Sequence, residues 1–252
     1  MVTVETKGLL TSMSDDSPSP DLQRVMGIFA HPDDPEFFCG GTFARWAAEG
    51  KQITFVLATS GDKGWQDANM TPEQLIAIRE DEERAAAAKL GVQDVVFLRF
   101  SDGELEPTLD LRRHLVRMIR LRQPDIVVTN DPTARWYGVN YINHSDHRAI
   151  GDSVLDAITP AARNYMFFPE LYREEGLAPH KVKQIYLCGT HEPTIKIDIT
   201  DYLETQIAAL REHKSQIADM EAMARRHRED IDPEFVGDGP RYTESFRVFH
   251  LR

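Results

Sequence analysis

The chain has 252 residues, 41% of them apolar, and a formal net charge of −12, which suits one good-sized domain better than two small ones. So acidic a chain lacks the basic face that a nucleic-acid backbone or an anionic membrane surface requires, so neither is an expected partner. Only Cys39 and Cys188 occur, without C-x-x-C spacing, which excludes a disulfide framework and a thiolate zinc cage and suits small buried side chains in a reducing cytoplasm.

The Ser, Asp and Pro of Ser14 to Pro20 predict a disordered extension over residues 1–22, with Met13 a possible native start, ahead of a single domain over 23–252. Gly8-Leu9-Leu10 is too short for a signal-peptide core, and no run approaches the ~20 apolar residues of a membrane span. The first strand is Val25 to Ala30. A helical stretch from Phe43 ends at Gly50, and Ile53 to Thr59 is a β-branched second strand. A long helix follows, with Thr71 as N-cap, Pro72 in its first turn and Gly91 past its end. Strands at 95–98 and 126–129 flank a helix from Leu109 to Leu121. Beyond them the pattern predicts a helix at 149–157, strands at 184–188 and 195–199, and one helix from Asp201 to about Arg228. The irregular stretch from Pro160 to His180 is either a lid or a covering loop. Alternation of this kind predicts an α/β fold with a mostly parallel sheet and helices on both faces.

Chemistry concentrates where two strands end. His31-Pro32-Asp33-Asp34 follows the first strand directly, where open α/β sheets bind ligands. His31 and Asp34 are three apart, so a turn stiffened by Pro32 can aim both at one point while Asp33 projects elsewhere. A helix N-cap is the competing reading of that tetrapeptide. A distant Asn143-His144-Ser145-Asp146-His147 weighs against capping alone, because His147 completes a His/Asp/His metal site with an open position. Zinc is the expected ion, Asp33 the general base for its water, and His144 a group placed to polarise a carbonyl, stabilise an oxyanion or protonate a leaving amine. Asp146 can set an imidazole tautomer. The remaining histidines, His213 among them, receive no catalytic role. Trp65, Trp136 and Tyr137 offer flat apolar rings in loops that follow strands but are read as packing.

Ala30-His31-Pro32-Asp33-Asp34-Pro35-Glu36, Gly40-Gly41-Thr42 and His144-Ser145-Asp146-His147 together resemble the zinc-dependent deacetylase family of LmbE-like proteins and PIG-L, over about residues 24 to 220. The resemblance implies a Rossmann-like fold and removal of N-acetyl groups from glucosamine-type substrates. It assigns His31, Asp34 and His147 as zinc ligands, Asp33 as base, and His144 with Asp146 as an oxyanion-stabilising pair. Arg79 matches a substrate-binding arginine of the family, although an ion pair to Glu82 or Glu83 on a solvated face is as good a reading. Asp102 follows the third strand, where it either binds a sugar hydroxyl or makes a simple turn. Gly61-Asp62-Lys63-Gly64 carries Asp where the family has Glu, and Gln206 replaces a usual lysine ahead of His213-Lys214-Ser215-Gln216, so that stretch is read as structural. A homo-oligomer, trimer or hexamer, is implied by the resemblance alone. The leading expectation is a cytoplasmic zinc N-deacetylase acting on a small amino-sugar substrate. The alternatives are an amidase for a larger amide or thiol conjugate and, third, a sugar-binding protein without catalysis.

Overall fold

Apolar runs too short for helices alternate with capped helical segments, and the computed structural model, which describes residues 18–19, 21–65, 67, 69–234 and 241–252, assembles them around one large sheet. Four parallel strands, β1 (Arg24–Phe29), β2 (Gln52–Thr59), β3 (Asp94–Phe100) and β4 (Ile126–Asn130), are followed by a short hairpin, β5 (Trp136–Tyr137) and β6 (Tyr141–Ile142). Then come β7 (Gln184–Cys188), parallel to β4, and β8 (Ile195–Asp198) and β9 (Thr243–His250), which add antiparallel at the far edge. The order is β3-β2-β1-β4-β7-β9-β8. The expected α/β sheet, mostly parallel with helices on both faces, is what forms.

β1 is apolar on both faces because both are covered, as in parallel sheets generally. Met26 and Ile28 pack with Leu115 and Ile119 of α3 (Leu109–Arg122) and Ile150 of α4 (Ser145–Asp156). Val25 and Phe29 meet Phe43 and Trp46 of α1 (Asp34–Ala48) and Ala86 of α2 (Pro72–Lys89) on the other side. Gly151 lets α4 sit directly on β4, since a Cβ there would lie 2.5 Å from the Asn130 carbonyl oxygen. The α2 N-terminus carries a full capping box, Thr71 with Gln74.

Several expectations are corrected. α1 begins at Asp34 rather than Phe43, because the sequence marks only the part beyond a break at Cys39, whose φ/ψ is non-helical. α4 begins at Ser145, four residues before the expected start, with His144 as its N-cap. The single helix expected after Asp201 is two, α6 (Leu203–Leu210) and α7 (Met220–Glu229), numbered after a short α5 (Pro169–Arg173) inside the expected irregular stretch. Between α6 and α7, Ser215 donates its amide and hydroxyl to Glu82 and Gln216 donates to the Gly64 carbonyl, which draws the chain off the helical path. The expected extension over 1–22 lies for the most part outside the described residues. Leu22 is already buried, and its carbonyl accepts from Lys51. Cys39 and Cys188 are free and buried, and burial drives the Cys39 thiol well above its ordinary range. Among the described residues no helix is long and apolar enough to cross a membrane.

The Cys39 break leaves two α1 amides in need of acceptors. Glu244 of β9 supplies them, accepting from Gly41 N at 3.0 Å and Thr42 N at 2.8 Å. Burial raises its carboxyl from an ordinary 4.5 to about 7 despite those donors. Folding therefore takes up a proton between these values, so this group favours the fold below about pH 4.5 and loses that advantage as pH rises to about 7. The Tm of Glu244→Gln minus that of the unaltered chain should accordingly climb between pH 5 and pH 8, by an amount equivalent to at most about 3 kcal/mol. Parallel Tm curves in thermal melts would contradict this.

Candidate active site

The strand order turns back at β1, with β2 on one side and β4 on the other. A crevice opens at the carboxyl ends of such strands. The residues from His31 to Asp34 turn into it from β1, Asp102 comes from the segment after β3, and His144 and His147 come from the start of α4. Asp33 occupies the helix N-cap position at φ 95°, yet its side chain makes no capping hydrogen bond, so capping does not account for it.

Asp34 sits between two imidazoles, with Oδ2 3.4 Å from His31 Nδ1 and Oδ1 3.0 Å from His147 Nε2. All three side chains are buried. The His147 ring is oriented from behind, its Nδ1 2.9 Å from Asn143 Oδ1, and Asn143 in turn donates to the Ala134 carbonyl. Proton on Nδ1 leaves Nε2 free as a lone-pair donor, the usual arrangement of a metal-ligating histidine. Four donor atoms at ~2.0–2.2 Å in a tetrahedron stand about 3.3 Å apart, close to the two separations found here. One donor atom from each of the three side chains lies within 4.8 Å of the others. The residues present therefore fit a divalent ion. A second group, His31 with Asp102 and His144, also converges, but its His144 is exposed.

The far nitrogen of His31, Nε2, lies 3.0 Å from Asp102 Oδ1 and 3.4 Å from Asp146 Oδ2, although neither oxygen aligns as a full hydrogen-bond acceptor. Burial opposes charge on this ring, but Asp102, Asp146 and Asp34 outweigh it and hold its pKa well above the ordinary value. Asp34 is held well below its own ordinary value, with His147 and His31 overcoming burial. Asp102 is thus placed against His31 as well as against the cavity, and its amide donates to Asp62 Oδ1 at 2.9 Å. The carboxylate of Asp146 also accepts the Gly103 amide at 2.7 Å. The expected His144–Asp146 pairing runs through the backbone: Asp146 N donates to His144 Nδ1 at 3.2 Å, while the carboxylate lies 3.8 Å off. With Nδ1 an acceptor, neutral His144 carries its proton on Nε2, and the partial burial of a ring still open to solvent, together with His31, lowers its pKa, favouring that neutral donor.

Asp33 lines the same cavity without belonging to the ligand group. Its Oδ2 accepts from Arg79 at 3.2 Å. Burial raises its pKa and Asp34 adds to the effect, while Arg79 restrains it. Arg79 occupies neither of the surroundings weighed from sequence in full. It is buried rather than solvated, and beyond Asp33 it donates to the Pro32 and Gly61 carbonyls at 2.7 and 3.2 Å, though it also lines the cavity. The cavity, about 530 Å³, is walled by Phe37, Phe38, Tyr137 and Tyr141. Tyr137, read as packing, is therefore a wall residue, its hydroxyl bonded to the Gly189 carbonyl at 2.7 Å.

Sequence reasoning missed a buried layer beneath the turn, Glu36, Glu83 and His213. Glu83 was hidden in a charged run. Its phase was the available signal, because 75, 79, 83 and 86 share one helix face, all buried.

The family model described as PIG-L: GlcNAc-PI de-N-acetylase matches residues 26–158. The diacetylchitobiose deacetylase of Thermococcus kodakarensis is 33% identical over 202 residues, covering 79% of this chain and 72% of that protein. The 1D-myo-inositol 2-acetamido-2-deoxy-alpha-D-glucopyranoside deacetylase of Actinosynnema mirum is 28% identical, covering 77% and 81%. Among solved structures, N,N'-diacetylchitobiose deacetylase from Pyrococcus horikoshii, in complex with an inhibitor, superposes with a TM-score of 0.80 at 30% identity, covering 94% of this chain and 87% of that one.

Elemental analysis of purified protein should find His147→Ala depleted of metal by at least about tenfold and His144→Ala still loaded, since only the first removes a donor from the buried group. Equal metal content in both variants would contradict the ligand assignment.

Proposed function

Because the chain belongs to the PIG-L family of de-N-acetylases, we propose that it is a zinc-dependent hydrolase that removes the acetyl group from an N-acetylglucosamine-type sugar or conjugate, with His31, Asp34 and His147 holding the ion. The names of the two curated relatives share an acetylated amino sugar and differ in what is attached to it. The observation that carries the reading is an uncoordinated carboxylate, Asp33, in the same cavity as the buried His/Asp/His group.

Zinc bound by these three side chains would supply Lewis-acid polarisation of the amide carbonyl and acidify a water. Asp33 is the group free to take the proton from that water, and Arg79 fixes the orientation of its carboxylate. His144, neutral and carrying its proton on Nε2, donates to the oxygen on which negative charge develops. The proton held by Asp33 then passes to the departing nitrogen, releasing acetate and a free amine. Asp102 and Asp146 keep His31 turned so that Nδ1 faces Asp34. The aromatic walls suit a sugar face, which is apolar above and below the ring.

We place the enzyme in the cytoplasm, a location that two free buried thiols suit, and assign it a homo-oligomeric state. Exposed Trp136, Val139, Tyr141 and Ile142 around the β5–β6 hairpin support the latter.

A panel of N-acetylated mono- and disaccharides, scored for acetate and amine with and without chelator, tests the proposal. Equal release of both, abolished by chelator and restored by zinc, is expected. Asp33→Asn should retain metal and lose at least about 100-fold in kcat. Release of an acid other than acetate would move the reading to a broader amidase, and metal-free protein without turnover would leave a sugar-binding protein.

A further inference from the structure

Beneath the turn that carries Asp33 lies a cluster sealed from solvent. Glu36 of α1, Glu83 of α2 and His213 between α6 and α7 are each 0% exposed. His213 Nε2 stands 3.4 Å from Glu36 Oε2 and 3.9 Å from Glu83 Oε2. Among the described residues, both ring nitrogens, both Glu36 oxygens and Glu83 Oε1 find no partner in full hydrogen-bond geometry. Polar groups so placed are costly, and their retention calls for a reason. One donor atom from each of the three lies within 4.8 Å of the others, as in the group at the turn, but here no side chain is exposed.

Among the described residues, the hydrogen bond from a carboxylate of this cluster to the turn above is the one in which Glu83 Oε2 accepts the backbone amide of Asp33 at 3.0 Å. Asp33 is a non-glycine residue at φ 95°, a conformation its Cβ disfavours, so it persists only where its surroundings impose it. Glu83 holds its amide, Arg79 its carboxylate at 3.2 Å, and the Phe37 amide its carbonyl at 3.0 Å. Arg79 and Glu83 are four residues apart on α2, so one rigid helix grips Asp33 at both its backbone and its side chain.

We infer that Glu83 is a positioning residue: by accepting the Asp33 amide it fixes the left-handed turn that aims the Asp33 carboxylate into the cavity, with Glu36 and His213 packed behind it as its backing. The inference rests on the proposed hydrolysis, in which Asp33 is the base. An ångström of misplacement at such a group can cost about 100-fold in rate.

The test is a double-mutant cycle with a crystallographic arm. Glu83→Met keeps the volume and introduces no buried charge. It should lower kcat by about 100-fold while KM and metal content stay within about twofold. Glu83→Gln, whose amide oxygen can accept the same N–H, should recover kcat to within about fivefold of the unaltered chain. In an Asp33→Ala background, Glu83→Met should cost less than about twofold more, because the group it positions is gone. A crystal structure of Glu83→Met should show residue 33 out of the positive-φ region. Equal losses in both backgrounds, or Asp33 still at positive φ in Glu83→Met, would overturn the inference. Should Glu83→Met fail to fold, a loss above tenfold in Glu83→Gln overturns it alone. If the unaltered chain deacetylates nothing, the functional reading fails, while the crystallographic arm still decides what Glu83 does to the turn.

Discussion

Asp34 gives one carboxylate oxygen to each of two imidazoles, and through that single side chain the end of β1 is tied to the start of α4. Around this contact stand three more carboxylates, those of Asp33, Asp102 and Asp146, with Arg79 the cation bonded to one of them. Carboxylates crowded in one crevice repel one another unless counter-charges join them. A divalent ion held by His31, Asp34 and His147, as proposed above, would supply that charge.

The fold makes this crowding possible. A sheet that reverses direction at β1 brings two loops far apart in sequence to one crevice, and Gly151 lets α4 approach β4 closely enough for His147 to reach Asp34. Each of these side chains is then held by a neighbour, His147 by Asn143, His31 by Asp102 and Asp146, and Asp33 by Arg79. Rigid elements supply every one of these supports or the loop directly after one, as a site needing sub-ångström placement requires.

How much of this was legible depended on the range of the interactions. His31 and Asp34 were readable because a three-residue spacing on a stiff turn is local, and His147 because few other arrangements explain two histidines bracketing an aspartate. Thr71, Pro72 and Gly91 likewise announce α2 through effects within a few residues, and Gln74 completes the cap. The inward turn of Arg79 was not legible, since its partners Pro32, Asp33 and Gly61 are distant in sequence while Glu82 and Glu83 lie next to it. The break between α6 and α7 depends on Glu82, more than a hundred residues earlier. The Cys39 interruption of α1 is stabilised by Glu244 from the last strand. Asp102 reads from sequence as lying after the third strand, but its proximity to His31 is a property of the closed crevice, not of that segment.

The most direct measurement is anomalous diffraction at the zinc edge from crystals of the zinc-loaded protein. A single strong peak about 2.0–2.2 Å from His31, Asp34 and His147, with Asp33 beyond bonding distance, is what this account predicts. A peak bonded to Asp33, or one elsewhere in the molecule with the His31 and His147 rings unliganded, would contradict it.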